Sequence, residues 1–169
     1  MGIDVCALVR RDHDDLDRAL GAMVDPRTSP KELAALLDVF RLALAVHTAA
    51  EAKVLDALLA RVSGPRTLNM LALQTRVEHV AQRTAADLLV GVRPASINWY
   101  DAALELRVTV MDHAARAEQT RWTLEDHVPI EIQRVLASEY ATERMRVLAS
   151  TSPIALAQSR DLLVPTTGN

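Results

Sequence analysis

Four stretches of this chain repeat an inward-type residue alternately three and four positions apart, and each carries a histidine near its middle. That spacing draws one stripe along a helix, and the stripe has to face a neighbour to leave water. The first stretch runs from about Ile3 to Met23 through Cys6, Val9, His13, Leu16 and Leu20, and Asp25-Pro26 ends it. The second opens on Ser29-Pro30-Lys31-Glu32, which offers a capping serine, a proline at the first helical position and a glutamate at the third. It continues through Phe40, Leu44, His47, Glu51, Leu55 and Leu58 to a break at Ser63-Gly64-Pro65.

The third stretch spans roughly Thr67 to Val90, with Leu68, Ala72, Thr75, His79, Gln82, Ala86 and Leu89 on one face, and Gly91 to Pro94 interrupts it. The fourth starts near Ser96 and reaches about Asp126, turning Trp99, Ala103, Leu106, Val110, His113 and Ala117 inward. Connections are short and no strand-like alternation survives. The fold class predicted is therefore all-α, an antiparallel up-down-up-down four-helix bundle with an additional C-terminal helix. The bundle is expected over residues 1–128 and a helical extension with a frayed tail over 129–169. The extension, about Ile130 to Ala149, either packs across the bundle or serves in a homodimer.

Composition agrees. Hydrophobic residues make up 50% of the chain but aromatic ones only 3%, so Leu, Ala and Val do the packing, which favours helices over sheets. A formal net charge of −3 gives no electrostatic footprint for nucleic acid. The single cysteine, Cys6, excludes an internal disulfide and reads as a small apolar core residue rather than a reactive thiol. No signal peptide is evident, and ionisable residues interrupt the apolar stretches short of a membrane span, so a cytoplasmic protein without a membrane partner is expected.

The histidines carry the functional reading. His13, His47, His79 and His113 follow one another at intervals of 34, 32 and 34 residues. At the midpoints of antiparallel helices, their imidazoles would meet at one level in the core. Dehydrated imidazoles and carboxylates need partners, and a cation supplies one, since neutral histidine ligates iron, zinc and copper. Glu51 lies one turn after His47 on the same face and can reach the same centre. Glu118, five residues after His113, is about 140° away around a regular helix and reaches it only across a π-bulge. Asp17 is placed to take a hydrogen bond from the His13 imidazole, whereas Asp12, Asp14, Glu78 and Asp112 read as solvent-facing charge. His127 lies away from the common level.

This set resembles the hemerythrin family, in particular the bacterial hemerythrin-like (HHE cation-binding) domains. The matching pieces are Arg11-Asp12-His13-Asp14, His47-Thr48-Ala49-Ala50-Glu51, Glu78-His79 and His113-Ala114-Ala115-Arg116-Ala117-Glu118, within residues 5–128. The resemblance implies two iron ions joined by an oxo or hydroxo bridge. His13 and His47 would serve one ion, His79 and His113 the other, and Glu51 and Glu118 would bridge. Oxygen-carrying members have another histidine one turn before that of the third helix, where this chain has Thr75. The resemblance thus implies a non-haem iron protein meeting dioxygen, peroxide or nitric oxide, in sensing, storage or iron handling. A di-iron enzyme that disproportionates peroxide or oxidises a small molecule is the alternative. Zinc in place of iron, and a metal-free helical interaction module, are the other readings.

Overall fold

The Asp4 carboxylate accepts a hydrogen bond from the Cys6 amide and so starts the first helix, α1, at Val5–Met23. The second, α2 (Pro30–Arg61), begins on the expected capping box. Ser29 N–H donates to Glu32 Oε2 at 2.9 Å and Glu32 N–H donates to Ser29 Oγ at 3.3 Å. Then follow α3 (Arg66–Val90), α4 (Ile97–His127), which Ser96 caps through the Trp99 amide, and α5 (Ile130–Thr151). This computed structural model describes residues 4–61 and 66–151, without the side chains of 66–67 and 119–127. The Ser63-Gly64-Pro65 break, the tail and the His127 side chain lie outside what is described. Among the described residues every regular element is a helix and none is a strand.

Each of α1 to α4 packs against the next, and α4 packs back against α1. Two apolar clusters fill the interior. One joins Leu16, Leu20 and Met23 of α1 with Phe40 and Leu44 of α2, Ala86 and Leu89 of α3, and Trp99, Leu106 and Val110 of α4. Trp99 ties that cluster down by donating from its indole nitrogen to the Met23 carbonyl at 3.1 Å. The other joins Val5 and Cys6 with Ala50, Val54 and Leu58, and with Leu68. Leu136, Ala137 and Tyr140 of α5 belong to this second cluster, because α5 lies along α2 and α1 and buries its apolar face there. Of the two arrangements left open for the C-terminal helix, packing on the other helices is the one present.

The apolar content of α2 is higher than its charges suggest. It is the one helix among those described whose length and composition suit a membrane span, with a mean hydropathy of 1.6 over its most apolar window. Ionisable residues therefore do not interrupt this stretch as expected, and the core takes up part of its apolar surface: 44% of that window is buried, and thirteen residues of α2 are buried, His47 and Glu51 among them. The two clusters meet the level of the histidines from opposite sides, leaving a polar layer between two dry ones.

Candidate metal centre

Four helices deliver one imidazole each to that layer. His13 of α1, His47 of α2, His79 of α3 and His113 of α4 are all buried, and so is Glu51 of α2. His13 Nε2 and His47 Nε2 are 3.2 Å apart. Glu51 Oε2 lies 2.8 Å from His79 Nε2, 3.1 Å from His113 Nε2 and 3.5 Å from His47 Nε2. The outer nitrogens of three rings therefore gather round a single carboxylate oxygen, and that of His13 abuts the nitrogen of His47. The donor atoms of His13, His47, Glu51 and His113 all lie within 4.8 Å of one another. Ligands about 2.1 Å from a tetrahedral ion are about 3.4 Å from each other, so these separations are those of a set that closes on a cation with little movement.

Groups behind the rings fix their orientation. His47 Nδ1 lies 3.2 Å from Tyr140 Oη, and Tyr140 Oη lies 2.6 Å from Asp12 Oδ2. Asp12 is also paired with Arg144, so it is a carboxylate that only accepts. Tyr140 must then give its one proton to Asp12 and accept from His47, which puts the His47 hydrogen on Nδ1 and leaves the Nε2 lone pair facing the cluster. His113 is held in the same way: its Nδ1–H donates to Glu78 Oε2 at 2.8 Å, and Glu78 is held in turn by Gln74 and Arg116.

The electrostatics follow from burial and this pairing. Burial and the neighbouring His47 press His13 down to about 3. Burial presses His47 to about 4 against the pull of Glu51. Burial alone would push Glu51 up, but hydrogen bonds from His113 and His79 outweigh it and hold its carboxyl well below the usual range. Burial also acts downward on His113, yet its bonds to Glu51 and Glu78 win and raise it. Burial lowers His79 despite its bond to Glu51, and it raises Tyr140, as does the charge of Glu51. At a pH between the lowered value of His79 and the raised value of His113, the metal-free cluster is thus three neutral imidazoles, one imidazolium at His113 and one carboxylate. Neutral imidazole and carboxylate are the forms in which these side chains bind a cation.

Sequence reasoning named His13, His47, Glu51, His79 and His113, and the fold brings all five together. Glu118 is not among them. Helix α4 is regular through this region, without a π-bulge among the described residues, so Glu118 stays on the flank that the five-residue spacing dictates. Its side chain is 45% exposed and accepts from Arg10 at 3.1 Å. Asp17 likewise pairs with Arg107 at 2.8 Å rather than with an imidazole. Asp12 and Glu78 depart from the expectation in the other direction: both turn towards a histidine, Asp12 through Tyr140 and Glu78 directly.

Tyr140 went unread because nothing in the sequence ties α5 to His47. The signal available was the single polar-tipped aromatic on an otherwise aliphatic helix face. Compared with known proteins, the chain matches no family model, and neither curated proteins nor solved structures give a match. The geometry alone defines the site: a buried His/Glu cluster able to hold a metal ion.

Proposed function

We propose that this chain is a hemerythrin-like antiparallel four-helix bundle with a non-haem iron centre that meets dioxygen, peroxide or nitric oxide. One observation carries the reading: three buried Nε2 atoms, of His47, His79 and His113, surround Glu51 Oε2, and His13 from a fourth helix sets its own Nε2 against that of His47. The antiparallel arrangement is supported by the core. Residues following His13 and His79 share a cluster with residues preceding His47 and His113.

His13 pairs most closely with His47, at 4.7 Å between ring centroids, and His79 with His113, at 4.8 Å. The cross-pairs are wider, from 5.2 to 5.8 Å. That pairing supports two ions, one for each pair, with Glu51 between them. Glu118 would join as a second bridge only if it left Arg10. Imidazole with carboxylate suits iron and zinc alike, and the choice of iron rests on the resemblance. Bound iron would supply redox chemistry towards small oxygen and nitrogen species. The chain's own part is to present neutral donors, to hold them by Tyr140 and Glu78, and to keep bulk water out with apolar layers on both sides. The enzymatic alternative draws support from Thr75, which is buried one turn before His79 where oxygen carriers have a further ligand.

The test is elemental analysis of protein produced with ample iron, together with its near-ultraviolet and visible absorption. One to two irons per chain, with charge-transfer bands that change on exposure to dioxygen or nitric oxide, is the expected result. His47→Ala should abolish both. A chain that takes up zinc alone would remove iron from the reading, and one that takes up no transition metal would overturn it.

A further inference from the structure

Moving one turn from the histidines towards the cluster that contains Trp99, each helix contributes one residue: Leu16, Leu44, Gln82 and Val110, each three positions from its histidine. Leu16, Leu44 and Val110 belong to that apolar cluster, as do Ala86 and Leu89 in the following turns of α3. Gln82 is the exception in the layer. It is 0% exposed, and neither Nε2 nor Oε1 of its amide has a hydrogen-bond partner among the described residues. A buried amide with both ends unpaired is rare in a folded protein, because its lost hydration is not replaced. Leucine in its place would complete the dry layer.

Spacing of three along a helix puts Gln82 beside His79, within reach of whatever the cluster holds. Charge says what that is. A divalent cation among neutral imidazoles is offset by the single carboxylate of Glu51. The two other carboxylates nearby, Asp12 and Glu78, are already matched by Arg144 and Arg116. With one divalent cation one positive charge is left over in an apolar surrounding, and with the two ions proposed above three are; a small anion bound to the cation would offset part of that charge. An uncharged N–H donor can hold such an anion without adding charge of its own.

We infer that Gln82 is a binding residue for a small inorganic anion bound to the cation on the side of the cluster facing Trp99, its amide donating to that anion. This rests on the metal-binding reading above. The experiment uses the full chain loaded with iron and titrated with azide, followed by absorption, beside metal content and the melting temperature of the metal-free protein. In Gln82→Leu, metal per chain should stay at the wild-type value. The metal-free form should melt at the same temperature or about 2–4 °C higher, because an unpaired buried amide is gone. Azide affinity should fall about tenfold or more. Gln82→Glu, of the same size, should keep the metal and weaken azide further, since it replaces a donor with a like charge. It probes the donor independently, with a side chain of the same size.

Unchanged azide affinity in a fully loaded variant overturns the assignment while leaving the metal site standing. So does a metal-free Gln82→Leu protein that melts lower, which would mark the amide as a structural group held by water. Wild-type protein that loads with metal but binds no azide also overturns it. Wild-type protein that takes up no metal brings down both readings together.

Discussion

Tyr140 donates from its hydroxyl to Asp12 Oδ2 at 2.6 Å, joining α5 to α1 directly behind His47. The same oxygen lies 3.2 Å from His47 Nδ1. A helix outside the ring of four thereby sets which nitrogen of His47 carries the hydrogen, and with it the direction of the free lone pair. Tyr140 is 0% exposed, so neither bond has water as a ready substitute.

Tyr140→Phe removes both bonds with little change of shape. Asp12 keeps its Arg144 partner, but His47 Nδ1–H loses its acceptor inside the core. The expected cost is about 1–3 kcal/mol of stability, seen in urea unfolding of the metal-free chain. Metal affinity should fall about 10- to 100-fold, the usual effect of losing a group that orients a ligating histidine. Competition against a chromophoric chelator measures it. Wild-type affinity in the variant would show that Tyr140 serves packing alone.

How much of this was legible follows from which interactions are local. The helices and the Ser29 capping box were legible because a stripe and a cap each depend on residues a few positions apart. The five converging donors were legible because each lies on a core-facing stripe at mid-helix. Glu118 was drawn in by its resemblance to a motif. The regularity of α4 decides otherwise, and regularity is set by packing, which the spacing of two residues does not encode. Tyr140, Arg144 and Glu78 were hidden for a related reason. Their roles are contacts between helices far apart in sequence, 93 residues in the case of His47 and Tyr140.

Glu118→Ala tests the surface placement. The pair with Arg10 is about half exposed on both sides, so its loss should cost less than about 1 kcal/mol. Metal per chain after loading should match that of wild type, whereas Glu51→Ala should lose most of its metal. A Glu118→Ala protein that loses half of its metal would show that the ions draw this carboxylate away from Arg10 and into a bridge.

Acid should destabilise the metal-free chain well before ordinary carboxylates titrate. His13 and His47 fall from the ordinary value of 6.5 to about 3 and about 4 on folding. For a group depressed by folding, the unfolded chain binds the proton first. Stability is therefore intact above about pH 6.5 and is lost as the pH falls towards the folded values. Between pH 7 and pH 5 each histidine contributes a loss of roughly 2 kcal/mol. His113 works the other way: raised in the fold, it adds stability as the pH drops through its folded value. Glu51, lowered in the fold, stays ionised across this range, and Glu78, lowered likewise, keeps its charge beside Arg116. His79, lowered as well, adds to the loss, and the net expectation is a loss of at least roughly 2 kcal/mol, read as a lower urea midpoint at pH 5 than at pH 7. In His13→Leu the slope should be shallower. A flat midpoint across this range would mean that the imidazoles are solvated.

Cation binding should release a proton, and the pH at which the release fades identifies its source. In the metal-free cluster His113 uses both nitrogens as donors, Nδ1–H to Glu78 and Nε2–H to Glu51. A cation taking the Nε2 position displaces that hydrogen, and Glu78 keeps the ring neutral with its remaining hydrogen on Nδ1. Glu51 has no proton to give, being ionised already, and His13 and His47 are neutral above about pH 4. Calorimetric titration with zinc, repeated at pH 6 in buffers of different ionisation enthalpy, should therefore count about one proton per chain from ligand displacement. The number should decline as the pH rises through the elevated value of His113. Glu78→Gln lowers that value by removing a charged acceptor, so in that variant the decline should begin at a lower pH. A release that is already absent at pH 6 in the wild-type chain would place His113 among the neutral imidazoles and leave the Glu51 charge unbalanced in the metal-free core.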